Sequence, residues 1–82
     1  MSVITLYGRP GCHLCEEARA ELLALRGAGA GFELAEVDIE SDDELLRRML
    51  ERIPVIEVDG EPACELLFDA DAVLARLDTL SR

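Results

Sequence analysis

The sequence predicts an α/β domain: a four-stranded mixed sheet flanked by helices, with elements in the order β-α-β-α-β-β-α. Three observations carry this prediction. Short runs of β-branched and apolar residues alternate with stretches of helical period. An Asp59-Gly60 pair separates two late strand-like runs, which is a strong hairpin signal. The length of 82 residues leaves room for one domain, residues 1–82. A chain of this size buries only about 60–65% of its unfolded surface, so the core is small.

Each element follows in order. Ser2 to Tyr7 (SVITLY) reads as a short, largely buried strand, and Gly8, Pro10 and Gly11 break it into a tight loop. Cys12 or His13 opens a helix in which Leu14, Ala18, Leu22 and Leu25 recur at three- and four-residue spacing, ending at the glycines from Gly27. Phe32 to Ile39 is a second strand with apolar residues in both phases, as expected of a strand covered on both faces. Two strands joined by a helix imply a right-handed parallel crossover. Ser41 and Glu44 form a capping-box pattern, and Leu45, Leu46, Met49 and Leu50 give the next helix its apolar face. Pro54 to Val58 is a third strand, and Glu61 to Cys64 returns antiparallel. Pro62 cannot donate to a ladder, which puts this fourth strand at a sheet edge. Asp69 caps a last helix with Val73, Leu74 and Leu77 on its buried face.

The formal charge is −10 at pH 7, and lysine is absent. Such a surface repels phosphate backbones and anionic headgroups, which argues against nucleic-acid and membrane-surface partners. The N-terminal MSVITLYG lacks the charged start and long apolar run of a signal peptide, and no run approaches the roughly 18 residues of a membrane span. The expectation is a soluble, monomeric, cytoplasmic protein. In that compartment three cysteines do not suggest a structural disulfide framework, and a Cys-x-x-Cys is redox-active or metal-binding.

That pair, Cys12 and Cys15 in GRPGCHLCEE, falls at a strand-to-helix junction beyond the carboxyl end of a parallel strand, where ligand sites gather in such sheets. A free thiol, with pKa about 8.5, is only about 3% ionised at pH 7. Unpaired N–H groups and the dipole at a helix start favour the anion. Cys12 therefore reads as the nucleophile, and Cys15, one turn on, as the resolving thiol. Arg9 adds positive charge ahead of Cys12. His13 tunes the thiolate if protonated and otherwise only shapes the loop. Cys64, on the edge strand, reads as a small apolar residue.

The stretch Tyr7-Gly-Arg-Pro-Gly-Cys-His-Leu-Cys15 resembles the active-site loop of glutaredoxins, and Arg52-Ile53-Pro54 resembles their Thr-Val-Pro element. The element order is that of the minimal thioredoxin fold. The resemblance implies a disulfide oxidoreductase of bacterial type, acting on protein or glutathione mixed disulfides. It further implies a cis Ile53–Pro54 bond and substrate contacts from the Ile53 backbone. Arg9 and Arg52 would meet the glycine carboxylate of glutathione, and Asp69 its γ-glutamyl end. No tightly bound cofactor is expected. Glutathione is a candidate co-substrate, and glutathione or a thioredoxin-type reductase a candidate electron donor. The departure lies at Leu66-Leu67, where glutaredoxins usually carry Gly-Gly and a backbone approach that leucine obstructs.

Two other readings stand beside this one. An internal zinc site lacks a second cysteine pair, so no metal ligands are assigned. An iron–sulfur cluster shared by two subunits asks only Cys12 of each. The other is a redox-inert adaptor with the same fold.

Overall fold

A computed structural model describes residues 2–80. Its elements are β1 (Ser2–Gly8), α1 (His13–Gly27), β2 (Phe32–Asp38), a 3-10 turn (Ile39–Ser41), α2 (Asp43–Met49), β3 (Val55–Val58), β4 (Glu61–Glu65) and α3 (Ala70–Leu80). The β-α-β-α-β-β-α order is the one the sequence predicts. The sheet runs β2-β1-β3-β4, with β1 parallel to β2 and antiparallel to β3, and β3 antiparallel to β4.

Strand alternation divides the apolar side chains between two faces. Ile4 and Leu6 of β1 and Ile56 and Val58 of β3 meet Ala18 and Leu22 of α1 and Val73 and Leu77 of α3 in the main core. A second cluster joins Met49 of α2, Ile39, Ile53, Val55 and Cys15, with Tyr7 and Cys12 packed against it. The cysteine pair thus sits on the smaller cluster.

The hairpin tip explains itself locally. Asp59 (φ 50°) and Gly60 (φ 85°) both take the positive φ that a two-residue type I′ turn demands. Asp59 also ties the tip to β1: its carboxylate accepts the Val3 N–H at 2.8 Å, and its own N–H donates to the Val3 carbonyl at 2.8 Å. On the edge strand, Ile56 pairs with Cys64 and Glu57 with Pro62, a bulge that skips Ala63.

The expectations for the α2 cap and for three helical leucines are corrected. The cap of α2 is Asp42, whose carboxylate accepts the Glu44 N–H at 2.8 Å and the Leu45 N–H at 3.4 Å. Ser41 instead closes the 3-10 turn by donating its hydroxyl to the Asp38 carbonyl at 2.6 Å. The turn shifts the helix start by one residue, and an aspartate there caps as well as serine. Strand β2 is an outer edge of the sheet, and its two apolar phases meet different clusters: Phe32 and Leu34 pack in the main core, and Ile39, just past its end, in the second. Leu14, Leu50 and Leu74 are exposed, since the sheet is too narrow to cover a wide apolar stripe on every helix.

Candidate active site

The site begins where β1 ends. Gly11 (φ 79°) turns the loop, the Cys12 N–H donates to the Arg9 carbonyl at 3.3 Å, and Cys12 becomes the extended N-cap of α1. From that position its sulfur accepts the Cys15 N–H at 3.1 Å. Cys12 and Cys15 are joined as a disulfide, with Cα atoms 5.2 Å apart. Cys12 is half-buried and Cys15 is 7% exposed. One sulfur can meet another molecule and the other is held behind it, in the asymmetry a two-thiol exchange needs.

The Ile53–Pro54 peptide bond is cis, and both residues are buried beside Cys15 and Val55. The Leu66 N–H donates to the Arg52 carbonyl at 3.1 Å and the Pro54 carbonyl at 3.0 Å, which brings the β4–α3 loop against the cis turn. Leu66 holds φ 69°, left-handed backbone that costs a non-glycine residue about 1–2 kcal/mol. Leucine thus adopts a conformation for which glycine is the ordinary choice.

The charged residues singled out in the sequence are placed as follows. Arg9 reaches Glu40 at 2.7 Å and Arg52 reaches Glu65 at 2.8 Å, so each guanidinium already holds a carboxylate. His13 is 83% exposed and lies 3.4 Å from Glu17, one turn on. Asp69 caps α3: its carboxylate accepts the Ala72 N–H at 3.1 Å. Tyr7 donates its hydroxyl to Glu57 at 3.2 Å. Burial first, then the Glu57 charge and hydrogen bond, raises the phenol's pKa against a smaller opposing effect of Arg48. Cys64 packs on the main core, and burial pushes its thiol up, against the hydrogen bond from the Asp69 backbone. A thiol so disposed is a poor nucleophile at neutral pH.

Sequence reasoning missed one residue that shapes the site. Gly8 reads as a chain breaker, yet its φ does not call for glycine. A Cβ there would lie 3.0 Å from Cys15 Sγ and 3.1 Å from Cys15 Cβ, so glycine supplies room for the buried cysteine. No local pattern marks such a contact. Gly8 and Cys15 also border a cavity of about 290 Å³ with Leu6 and Val37, beneath the α1 start. Among the described residues, no group of three or more His, Cys, Asp or Glu is placed to hold a metal ion, and no helix is long and apolar enough to cross a membrane.

Solved structures share this fold. Protein Ne2328 of Nitrosomonas europaea is 34% identical over 92% of this chain and 89% of its own, with a TM-score of 0.79. The X. campestris protein XcR50 is 36% identical over 93% and 96%, with a TM-score of 0.68. Oxidised thioredoxin from Plasmodium falciparum, 15% identical over 99% and 82% with a TM-score of 0.62, shows that the fold is thioredoxin-like. No curated protein matches the chain. The sequence profile of the glutaredoxin-like domain (DUF836) matches residues 3–78, nearly the whole chain, and the protein belongs to that family.

Proposed function

We propose that the protein is a dithiol disulfide oxidoreductase with Cys12 as nucleophile and Cys15 as resolving thiol. The carrying observation is the Cys15 N–H aimed at the sulfur of Cys12 at the N-cap, with Cys15 itself in bonding reach behind it. In the reduced protein that N–H and the helix dipole favour an anionic Cys12 sulfur.

The exchange proceeds in two displacements. The Cys12 thiolate attacks one sulfur of a substrate disulfide, forming a mixed disulfide and expelling the other sulfur as a thiolate. Cys15 then loses its proton and attacks Cys12 Sγ. The internal disulfide forms, the second substrate sulfur leaves, and two electrons have passed to the substrate. A dithiol donor reverses the sequence to restore the protein.

Protein disulfides fit the surroundings better than glutathione does. Arg9 and Arg52 already bind Glu40 and Glu65, and Leu66 fills the place where a tripeptide backbone would need glycine.

The test is alkylation of the reduced protein by iodoacetamide across pH, with substitution of each cysteine. Cys12 is expected to react with a midpoint well below the ordinary thiol value. Cys12→Ser should abolish disulfide reduction, and Cys15→Ser should accumulate a mixed disulfide at Cys12. A Cys12 midpoint at or above about 8.5 would show that the helix start does not activate it.

A further inference from the structure

Among the described residues, three of the five large apolar side chains left exposed, Leu14, Leu66 and Leu67, lie on the α1 start and the β4–α3 loop. Leu66 is 48% exposed and Leu67 70% exposed. Leu66 is tied by its N–H to the cis turn, which packs beside Cys15. Leu67 and Phe68 then face α1 across a groove whose other wall is Glu17, Ala20 and Glu21. Leu14 lies three residues before Glu17 and seven before Glu21, so it continues the same helix face towards Cys12, and it too is exposed. The α1 start and the β4–α3 loop thus each present exposed leucines, and the groove between Leu67, Phe68 and α1 has an acidic wall.

Two features show that this is not residual surface. Leu66 keeps a branched apolar side chain in solvent at φ 69°, where glycine would be unstrained. Strain of this kind is characteristic of binding and catalytic positions. The charge on it is of one sign. Glu17 is paired only with the exposed His13, and the Glu21 carboxylate makes no hydrogen bond or ion pair among the described residues. The arginines at its edge, Arg9 and Arg52, are neutralised by Glu40 and Glu65.

Resting on the redox reading above, we propose that the surface of Leu14, Leu66, Leu67 and Phe68 with Glu17 and Glu21 docks a cationic segment of protein substrate. That segment flanks the substrate cysteine and carries leucine-like side chains for the groove and arginine or lysine for its acidic wall. Apolar contact holds the segment, and charge complementarity selects it and speeds encounter. Glutathione, with two carboxylates and no apolar side chain, gains neither.

The test uses Cys15→Ser protein, in which only the first displacement occurs, corrected for a Cys12→Ser, Cys15→Ser background. Four probes each carry one cysteine or thiol as a mixed disulfide with 5-thio-2-nitrobenzoate. They are the peptides Ala-Leu-Arg-Cys-Arg-Leu-Ala and Ala-Leu-Glu-Cys-Glu-Leu-Ala, glutathione, and neutral mercaptoethanol. Cys12 attacks the probe sulfur, forms the mixed disulfide and releases nitrothiobenzoate, whose absorbance is read. Each rate is divided by that of free dithiothreitol with the same probe, which removes intrinsic electrophilicity.

The arginine peptide should exceed both glutathione and the glutamate peptide by about tenfold, and raised salt should shrink the gap. Glu21→Gln should cut the arginine-peptide preference about threefold. Glu33→Gln makes the same charge change at the far end of β2 and should leave the preference near its original value. Leu67→Ser should lower the rate with both leucine peptides relative to the mercaptoethanol probe. Equal normalised rates for the four probes, or equal losses from Glu21→Gln and Glu33→Gln, would overturn the docking surface while the redox reading stands. A protein inert even to the mercaptoethanol probe would overturn both.

Discussion

Replacing Gly8 with alanine should make the Cys12–Cys15 disulfide easier to reduce. The added methyl would stand 3.0 Å from Cys15 Sγ and 3.1 Å from its Cβ. Carbon atoms in ordinary contact lie about 3.5–4.0 Å apart, so α1 or β1 must yield by a few tenths of an ångström. Overpacking of this size in a tight core costs about 1–3 kcal/mol. In the dithiol, Cys15 Sγ is free to turn from the methyl; in the disulfide the bond to Cys12 holds it there. If about half the strain belongs to the oxidised state alone, the disulfide loses about 1 kcal/mol relative to the dithiol. For a two-electron couple that raises the potential by about 20 mV, since 30 mV corresponds to 1.4 kcal/mol. The assay is redox equilibration against dithiothreitol or glutathione buffers, beside urea unfolding of both forms. The oxidised variant should lose more stability than the reduced one. Equal losses in the two forms with an unchanged potential would show that Gly8 serves only general packing and would refute the argument.

Other consequences can be measured directly. Leu66→Gly removes the left-handed strain of about 1–2 kcal/mol and adds back about 0.5–1 kcal/mol of backbone entropy, so a urea midpoint equal to or above the parent's is expected. A loss beyond 1 kcal/mol would mean the Leu66 side chain stabilises the loop. Asp42→Ala should cost about 1 kcal/mol as a lost helix cap, and a larger effect from Ser41→Ala would contradict the cap assignment. Alkaline pH should destabilise the oxidised protein. Tyr7 and Cys64 have pKa values raised by folding, so above their unfolded values the unfolded chain has released protons the native state still holds. Their contribution is full below pH about 8.5 and falls as pH rises towards 11. The absence of lysine keeps other side chains from masking the trend. Stability that holds or grows between pH 8 and 11, or a slope unchanged by Tyr7→Phe with Cys64→Ala, would count against it.

Much of this was legible in the residues. Strand and helix order, the Asp59-Gly60 turn, the edge position of Pro62 and the cap at Asp69 each rest on local chemistry, where a few neighbouring residues carry the whole cause. The cysteine pair at a helix start is local in the same sense, because spacing and the loop glycine Gly11 place both sulfurs. Where a cause lies outside the local stretch, the pattern misleads. The 3-10 turn moves the α2 cap from Ser41 to Asp42, and Leu14, Leu50 and Leu74, at helical spacing for the core, stay exposed.

Tertiary structure alone decided the contacts across the site. Arg9 faces Glu40 and Arg52 faces Glu65 because separate elements meet there, and ion pairs at such separations leave no periodic trace in a sequence. The need for Gly8 appears only once Cys15 packs against it. The left-handed Leu66 follows from two carbonyls, of Arg52 and Pro54, drawing its N–H to the cis turn. The sequence determined that two thiols would stand together at a helix start, since adjacent residues set that geometry. What surrounds them was settled by packing between elements distant in the chain, which depends on the whole sheet and not on any stretch of it.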